Sequence, residues 1–512
     1  MSGLSPRHLL DVWEAVVAKF PRKTAAIYED RYYSYRELDE LTDLLAAFLH
    51  RKWGVSKGET VAIAMPNCIE FVLSYWATIK LGAIVVPINT RLRDAEMRYV
   101  VENSAARVLL SHSAVWGAVA DAAQRAGNIE HIAVAGERVG EGLMPFSALL
   151  EHELPLAPRP ELAPEDIGVV AYTSGTTGQP KGAIMTHDNL LFNLRITCLC
   201  FSARHEDRHL LVVPVFHATA VYSLLPSSAY LGATLVIAPR PNVREIVELI
   251  EKHRATTFIG VPTIFHFLTQ LRDLERRDLS SLRLIAYAGA VMPERTIRAL
   301  REKFPWVALH NFFGLTETIS QTHVLPSEDA LERADSVGKL LPEVGMMIAD
   351  EQGNPLPPGE VGELCFRQEN VISGYWRQPG LLEQSLRNGW FHTGDLAMVD
   401  EDGYLYLKGR KKELIIVAGE NVYAPEVENV ILTHDKVLEV AVVGVEATGP
   451  RAYLGELVKA VVVPVQGAKL TEAEIKRHCA ERLASYKVPQ IVEFRSSLPR
   501  NPSGKVLKRE LV

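Results

Sequence analysis

Thr173-Ser174-Gly175-Thr176-Thr177-Gly178-Gln179-Pro180-Lys181-Gly182 is the stretch on which the reading of this chain turns. Ahead of it stands Asp166-Ile167-Gly168-Val169-Val170-Ala171-Tyr172, a short apolar run that reads as a buried strand. Behind it, residues 183–201 place apolar side chains at helical spacing, with Thr186 able to cap the start. Strand, glycine-rich loop and helix form a setting in which backbone N–H groups can surround phosphate oxygens. Gly175, Gly178 and Gly182 permit close backbone approach. Thr173, Ser174, Thr176 and Thr177 add hydroxyls, and Lys181 adds a mobile positive charge. The plain alternative is a solvated Ser/Thr/Gly turn. Four hydroxyl residues, three glycines and a lysine in ten positions argue against it. The stretch is not a Walker A loop, which needs Gly-Lys-Ser/Thr, because Gly182 follows Lys181.

Around that loop lie 512 residues, enough for more than one domain and a large core. A hydrophobic content of 47% and a charged content of 23% fit a globular protein. The formal charge of −7 disfavours a general nucleic-acid binder, which would be basic. The five cysteines, Cys68, Cys198, Cys200, Cys365 and Cys479, are odd in number and form no CxxC pair, so disulfide and zinc frameworks gain no support. Residues 1–8 carry no apolar run of signal-peptide length. The most apolar window, residues 71–88, contains Lys80, Gly82 and Pro87 and reads as a core helix running into a strand. A cytoplasmic location without stable membrane insertion is expected, as monomer or homodimer.

Upstream of the loop, helical patterns at 38–49, 70–81 and 95–102 alternate with strand patterns at 61–65, 84–88 and 108–110. That alternation predicts βαβ units and a parallel sheet. Residues 151–164, with four prolines, read as a loop. Downstream, residues 210–217 read as a strand that delivers Phe216 and His217 at its carboxyl end, where open α/β sheets put ligands. Residues 284–293 read as a strand and a glycine turn before a helix, with small Ala288, Gly289 and Ala290 in the turn. From about residue 411 the pattern changes to short strands (438–445, 457–463) with helices (426–432, 472–482). The expected fold is therefore α/β. A large N-terminal domain, 1–410, has mixed or parallel sheets and flanking helices, and a small, mobile α+β domain, 411–512, follows.

Five further stretches carry chemistry. Phe216-His217 closes the 210–217 run; an isolated histidine is more often a satisfied core residue. His310-Asn311-Phe312-Phe313-Gly314-Leu315-Thr316-Glu317-Thr318 combines aromatic rings with a carboxylate that could equally start a helix. Thr393-Gly394-Asp395 could be a turn, and Gly409-Arg410-Lys411-Lys412-Glu413 a solvated basic run. Pro499-Arg500-Asn501-Pro502-Ser503-Gly504-Lys505 ends on a lysine that would ordinarily be surface. In this order and with the phosphate loop, they resemble the acyl-adenylate-forming superfamily, which comprises acyl-CoA synthetases, adenylation domains of peptide synthetases and luciferases. The resemblance runs from residue 24 to residue 505.

The resemblance implies an AMP-forming acid–thiol ligase using ATP, Mg²⁺ and CoA. Thr173, Ser174, Gly175, Thr176, Thr177, Gly178 and Lys181 would hold the ATP phosphates. Gly289, Ala290, Asn311, Phe312, Phe313 and Gly314 would line the adenine site, with Phe313 where Tyr is commoner. Thr316 would bind phosphate. Glu317 would hold Mg²⁺ beside Thr173. Asp395 would accept from the ribose hydroxyls, and Arg410 would reach ribose and phosphate. Lys505 would be the catalytic lysine. Gly419 and Glu420 would guide pantetheine, although Ala418 replaces the usual first glycine of a pair and the following proline is displaced by one. Lys412 would be a hinge, so that a proline there should spare adenylation and impair thioester formation. Phe192, Phe216, His217, Val221, Tyr222, Val261, Tyr287, Ala288 and Ile319 would line the acyl pocket. Amino-acid activators carry Asp where His217 stands. An apolar acid is therefore expected: a fatty acid of medium chain length, or an alicyclic or aryl acid. The alternatives are a stand-alone enzyme loading a carrier protein, a luciferase-like monooxygenase, and a non-catalytic acyl-AMP-binding regulator.

Overall fold

The structure is a computed structural model describing residues 6–512 apart from 138, 174–178, 240–241, 290–291 and 503. For Ser320, Gly449 and Ala452 only the backbone is described. Two large sheets carry the first four hundred residues. The smaller runs, in spatial order, Met144–Pro145, His131–Ala135, Val108–His112, Thr60–Ala64, Ile84–Pro87, Ile167–Thr173, Lys181–Thr186. All its pairings are parallel except the last. Its strands are apolar on both faces because both are covered. In Thr60–Ala64, Val61 and Ile63 join the core under helices Leu9–Lys19, Tyr35–Trp53 and Ile69–Lys80, whereas Ala62 and Ala64 join the core under Asp94–Ser104 and Ser113–Arg125.

The larger sheet has a parallel centre of Thr234–Ile237, Arg208–Leu211, Thr257–Gly260, Leu284–Tyr287 and Ala308–Leu315, continued by antiparallel strands out to Met346–Ala349. Strand order reverses at Arg208–Leu211, which has a later strand on each side. The crevice beyond the carboxyl end of such a strand is the usual ligand position in open α/β sheets. From Ile415 onward the chain packs in cores of its own, under a three-stranded sheet (Val437–Glu446, Glu456–Pro464, Ile491–Phe494) and helices Ala424–Leu432 and Glu472–Ala480. Among the described residues no helix is long and apolar enough to cross a membrane. The α/β class and the helix-to-strand run at 71–88 match the sequence reading.

Two local readings need correction. Residues 183–186 are not helical: Lys181–Thr186 is a strand pairing antiparallel with Ile167–Thr173, and the helix begins at His187. Ala183 and Met185 are fully buried and alternate with half-buried Ile184, a period of two that a short apolar run shares with a helix. Thr186 does cap the helix, in a reciprocal capping box with Asn189. The elements flanking residues 174–178 are therefore two paired strands, and the helix starts only after the second of them. Likewise the strand read at 210–217 ends at Leu211, because Asn67 intercepts the backbone beyond it: its side chain bonds the carbonyls of Leu211 and Val213 and the Val215 amide. Phe216 and His217 lie in the turn that follows.

Candidate active site

Thr173 and Lys181 are cross-strand partners at the loop end of the hairpin. Ser174, Gly175, Thr176, Thr177 and Gly178, between them, lie outside the described residues, as does Ala290. Residues 372–376 are sewn onto the Lys181–Thr186 strand: Ser373 N donates to Ile184 O (3.2 Å), Ile184 N to Gly374 O (3.0 Å) and Trp376 N to Gly182 O (2.7 Å). At their other end Ile372 N donates to Glu317 O at 2.9 Å. Tyr375 thereby stands between two predicted site residues from different sheets. The Lys181 ammonium is 5.4 Å from its ring centre, and its hydroxyl donates to Glu317 Oε1 at 3.1 Å. Burial and the Glu317 charge push the Tyr375 hydroxyl well above its ordinary pKa, so it stays a donor.

Glu317 sits in a tight turn. The Leu315 amide donates to Thr318 Oγ1 and the Ile319 amide to Thr316 O. Ile319 closes the turn at φ +61°, a conformation costly for a β-branched residue, and Asn193 Nδ2 holds its carbonyl. Asp395 lies on strand Trp390–Val399 opposite Arg410 of Tyr404–Arg410, with Arg410 Nε 3.0 Å from Oδ1. Burial raises the Asp395 pKa, while Arg410 and Lys505 pull it down.

A cleft of about 1150 Å³ opens at Arg410, with Arg91, Arg93, Lys412, Arg500, Lys505 and Arg509 among its other walls. Lys505 is exposed in the cleft, and its charge is felt by both Asp395 and His217. His217 keeps an open face yet is ringed by protein. That desolvation, helped by Lys505 and Arg91, lowers its pKa to about 4 and keeps it neutral at pH 7. The Arg91 guanidinium lies 6.0 Å from the Phe216 ring centre. The hinge candidate Lys412 is the middle residue of a 3₁₀ turn, Lys411–Glu413. Gly419 occupies a two-residue hairpin turn with Ala418, at φ +87° and +52°, the sign pair of a type I′ turn. Neither Gly419 nor Glu420 lines the cleft that Lys505 enters.

The acyl candidates fall into two groups. Val221 and Tyr222, on the π-helical turn Thr219–Leu224, share one core with Phe312 and Ile319, and half-buried Phe192 and Ala288 pack against it. Tyr222 is fully buried, and among the described residues its hydroxyl has no hydrogen-bond partner. Tyr287 points the other way, into the second core beside Phe265, and Val261 is 45% exposed at a helix start. At Gly289, φ +85°, nothing among the described residues lies within 4 Å of where a Cβ would stand. Asn311 donates to Ser336 O, Phe313 tilts against His323, and Thr316 and exposed Gly314 follow on the same strand and turn. Among the described residues no cluster of three or more His, Cys, Asp or Glu could hold a metal. Glu317 offers a carboxylate of the kind that suits Mg²⁺, an ion bound through one or two carboxylates plus substrate phosphates. Sequence reasoning missed Tyr375 and Arg91. The only signal was their company: an aromatic pair after Gly374, and two arginines following strand Ile84–Pro87.

Two family matches cover most of the chain: AMP-binding enzyme over residues 13–376, and AMP-binding enzyme C-terminal domain over 426–505. A long-chain-fatty-acid–CoA ligase of Escherichia coli is 32% identical, over 98% of this chain and 94% of the other. An indoleacetate–CoA ligase of Aromatoleum aromaticum is 33% identical, over 96% and 95%. Among solved structures, an anthranilate CoA ligase bound to anthranoyl-AMP superposes with a TM-score of 0.90 at 28% identity, covering 99% of this chain and 97% of that one.

Proposed function

Because the chain belongs to the AMP-binding enzyme family, an acid–thiol ligase family, we propose that it activates an apolar carboxylic acid, fatty or aryl, as its CoA thioester. In the first half-reaction a carboxylate oxygen bonds to the α-phosphorus of ATP and the bond to the β-phosphate bridging oxygen breaks, giving acyl-AMP and pyrophosphate. In the second the CoA thiolate attacks the acyl carbon and AMP leaves. The acid is already ionised at pH 7, so the first step needs alignment and positive charge rather than a base. Lys181, Arg410 and Lys505 supply charge, Lys505 being the catalytic lysine. Asp395 holds the ribose, and Phe313 and the turn at Gly289 receive the adenine. Glu317, steadied by the Tyr375 hydroxyl, and Thr173 would hold Mg²⁺, which neutralises phosphate charge when bound. The boundary of the small domain falls after Arg410, and the Gly419–Glu420 turn serves pantetheine.

The observation that carries the reading is Lys505 in the cleft, electrostatically linked to both Asp395 and His217. Substrate class rests on His217, neutral at pH 7 and standing where amino-acid activators carry Asp, and on the apolar core of Val221 and Ile319 against which Phe192 packs. Burying an unpaired ammonium there costs several kcal/mol. Pyrophosphate release measured across C4–C16 fatty acids, aryl acids and amino acids, with and without CoA, tests this. Apolar acids should turn over fastest and in a CoA-dependent way. A proteinogenic amino acid as the best substrate would defeat the proposal. Pyrophosphate release without thioester formation would redirect it to another acyl acceptor.

A further inference from the structure

Strand Gly362–Arg367 pairs antiparallel with Trp390–Val399, Glu363 opposite Leu396 and Cys365 opposite His392. Between these pairs the single residue Leu364 faces Thr393, Gly394 and Asp395, so the second strand bulges, and Asp395 stands on the bulge. A bulge of this kind re-aims a side chain. Thr393 pins it from within: its Oγ1 donates to Leu364 O at 2.8 Å and accepts from Asp395 N at 3.0 Å. Glu363 supplies the remaining pin. Its Oε1 accepts from Gly394 N at 3.0 Å, and its Oε2 lies 3.2 Å from His392 Nδ1 and 3.8 Å from Lys411 Nζ. The side chain is only 11% exposed, so it is committed to these partners. Cys365 Sγ is 3.4 Å from the same His392 nitrogen, but burial and Glu363 push the thiol up to about 12, which rules out a nucleophilic set.

We propose that Glu363 is a positioning residue for nucleotide recognition: by holding the Gly394 amide it fixes the bulge and thereby aims the Asp395 carboxylate at the ribose. The proposal rests on the reading of Asp395 as the ribose partner. Glu363 does not itself touch the nucleotide. Its removal should therefore erode discrimination at the sugar rather than affinity in general.

The test compares dissociation constants of ATP and 2′,3′-dideoxy-ATP, by calorimetry, for the full chain and its variants. The unmodified protein should favour ATP. Glu363→Ala should shrink that preference by at least about tenfold, the scale of a lost hydrogen bond to a charged group. Glu363→Gln, whose amide oxygen can still accept from Gly394 N, should keep the preference within about twofold. Should the alanine variant fail to fold, Glu363→Leu, of similar volume and without an acceptor, carries the same expectation. Asp395→Asn separates the two ideas. If it leaves the preference intact, the ribose reading of Asp395 falls. If it abolishes the preference while Glu363→Ala keeps it, or weakens both nucleotides equally, the role of Glu363 is refuted.

Discussion

Lys505→Ala removes the one predicted catalytic cation contributed by the last hundred residues. In the present arrangement its ammonium acts on Asp395 and His217 from within the cleft, and the proposed function gives it the negative charge that develops on the α-phosphate. A preorganised donor of this kind contributes about 2.7–4 kcal/mol to a transition state. Lys505 is exposed, so solvent screens part of that interaction, and the lower end applies. At about 1.4 kcal/mol per decade, the adenylation rate should fall about a hundredfold. Attack of CoA on supplied acyl-AMP forms no bond to phosphorus and should stay within about threefold. Pyrophosphate release read by a coupled phosphatase, and acyl-AMP consumption read by thioester formation, separate the two. Equal losses in both assays, or an unchanged rate of pyrophosphate release in a folded variant, would refute the assignment.

Lys412→Pro should impair one half-reaction and not the other. Proline fixes φ at 412 and restricts Lys411, in the 3₁₀ turn Lys411–Glu413, so adenylation should survive and thioester formation should fall; equal effects on both would remove the case for a hinge there. Acid should destabilise the fold early: His187 and His209, with pKa lowered to about 4, and His323, lowered to about 3, are all buried, chiefly desolvated, and neutral in the native state. Their folded pKa values lie below the unfolded value of about 6.5, so the unfolded chain takes up the protons first; stability should be intact above about pH 6.5 and fall by about 4 kcal/mol per pH unit towards pH 4, and urea midpoints that do not move between pH 7 and pH 5 would contradict this.

Much of the site was legible because its motifs are local. Glu317, Asp395, Arg410 and Lys505 each stand in a short stretch whose residue types carry the chemistry, and each borders one region of the folded chain. What escaped was contact across sequence distance. Tyr375 meets Glu317 over 58 residues, and Glu363 meets Gly394 over 31; nothing in either neighbourhood announces the partner. The misread start of the loop helix has another cause. Ala183-Ile184-Met185 satisfies both the strand and the helix period, and only pairing with Ile167–Thr173 decides between them. The departure at Ala418 was visible in the sequence, but its φ of +52° was not; the position favours glycine for a backbone reason.

The seam at residues 372–376 has a consequence for how the molecule comes apart. Its amides bond to a strand of the seven-stranded sheet and to the turn that ends a strand of the larger one. Neither sheet can loosen there without breaking the other's bonds. Deuterium should therefore enter the amides of Ile184, Ile372 and Trp376 only through global unfolding, at one common free energy, whereas the solvent-facing hairpin at Ala418 and Gly419 should exchange through local opening. Heating should melt the two sheets in a single cooperative step, leaving the residues beyond Ile415, with their separate cores, as the part able to melt on their own.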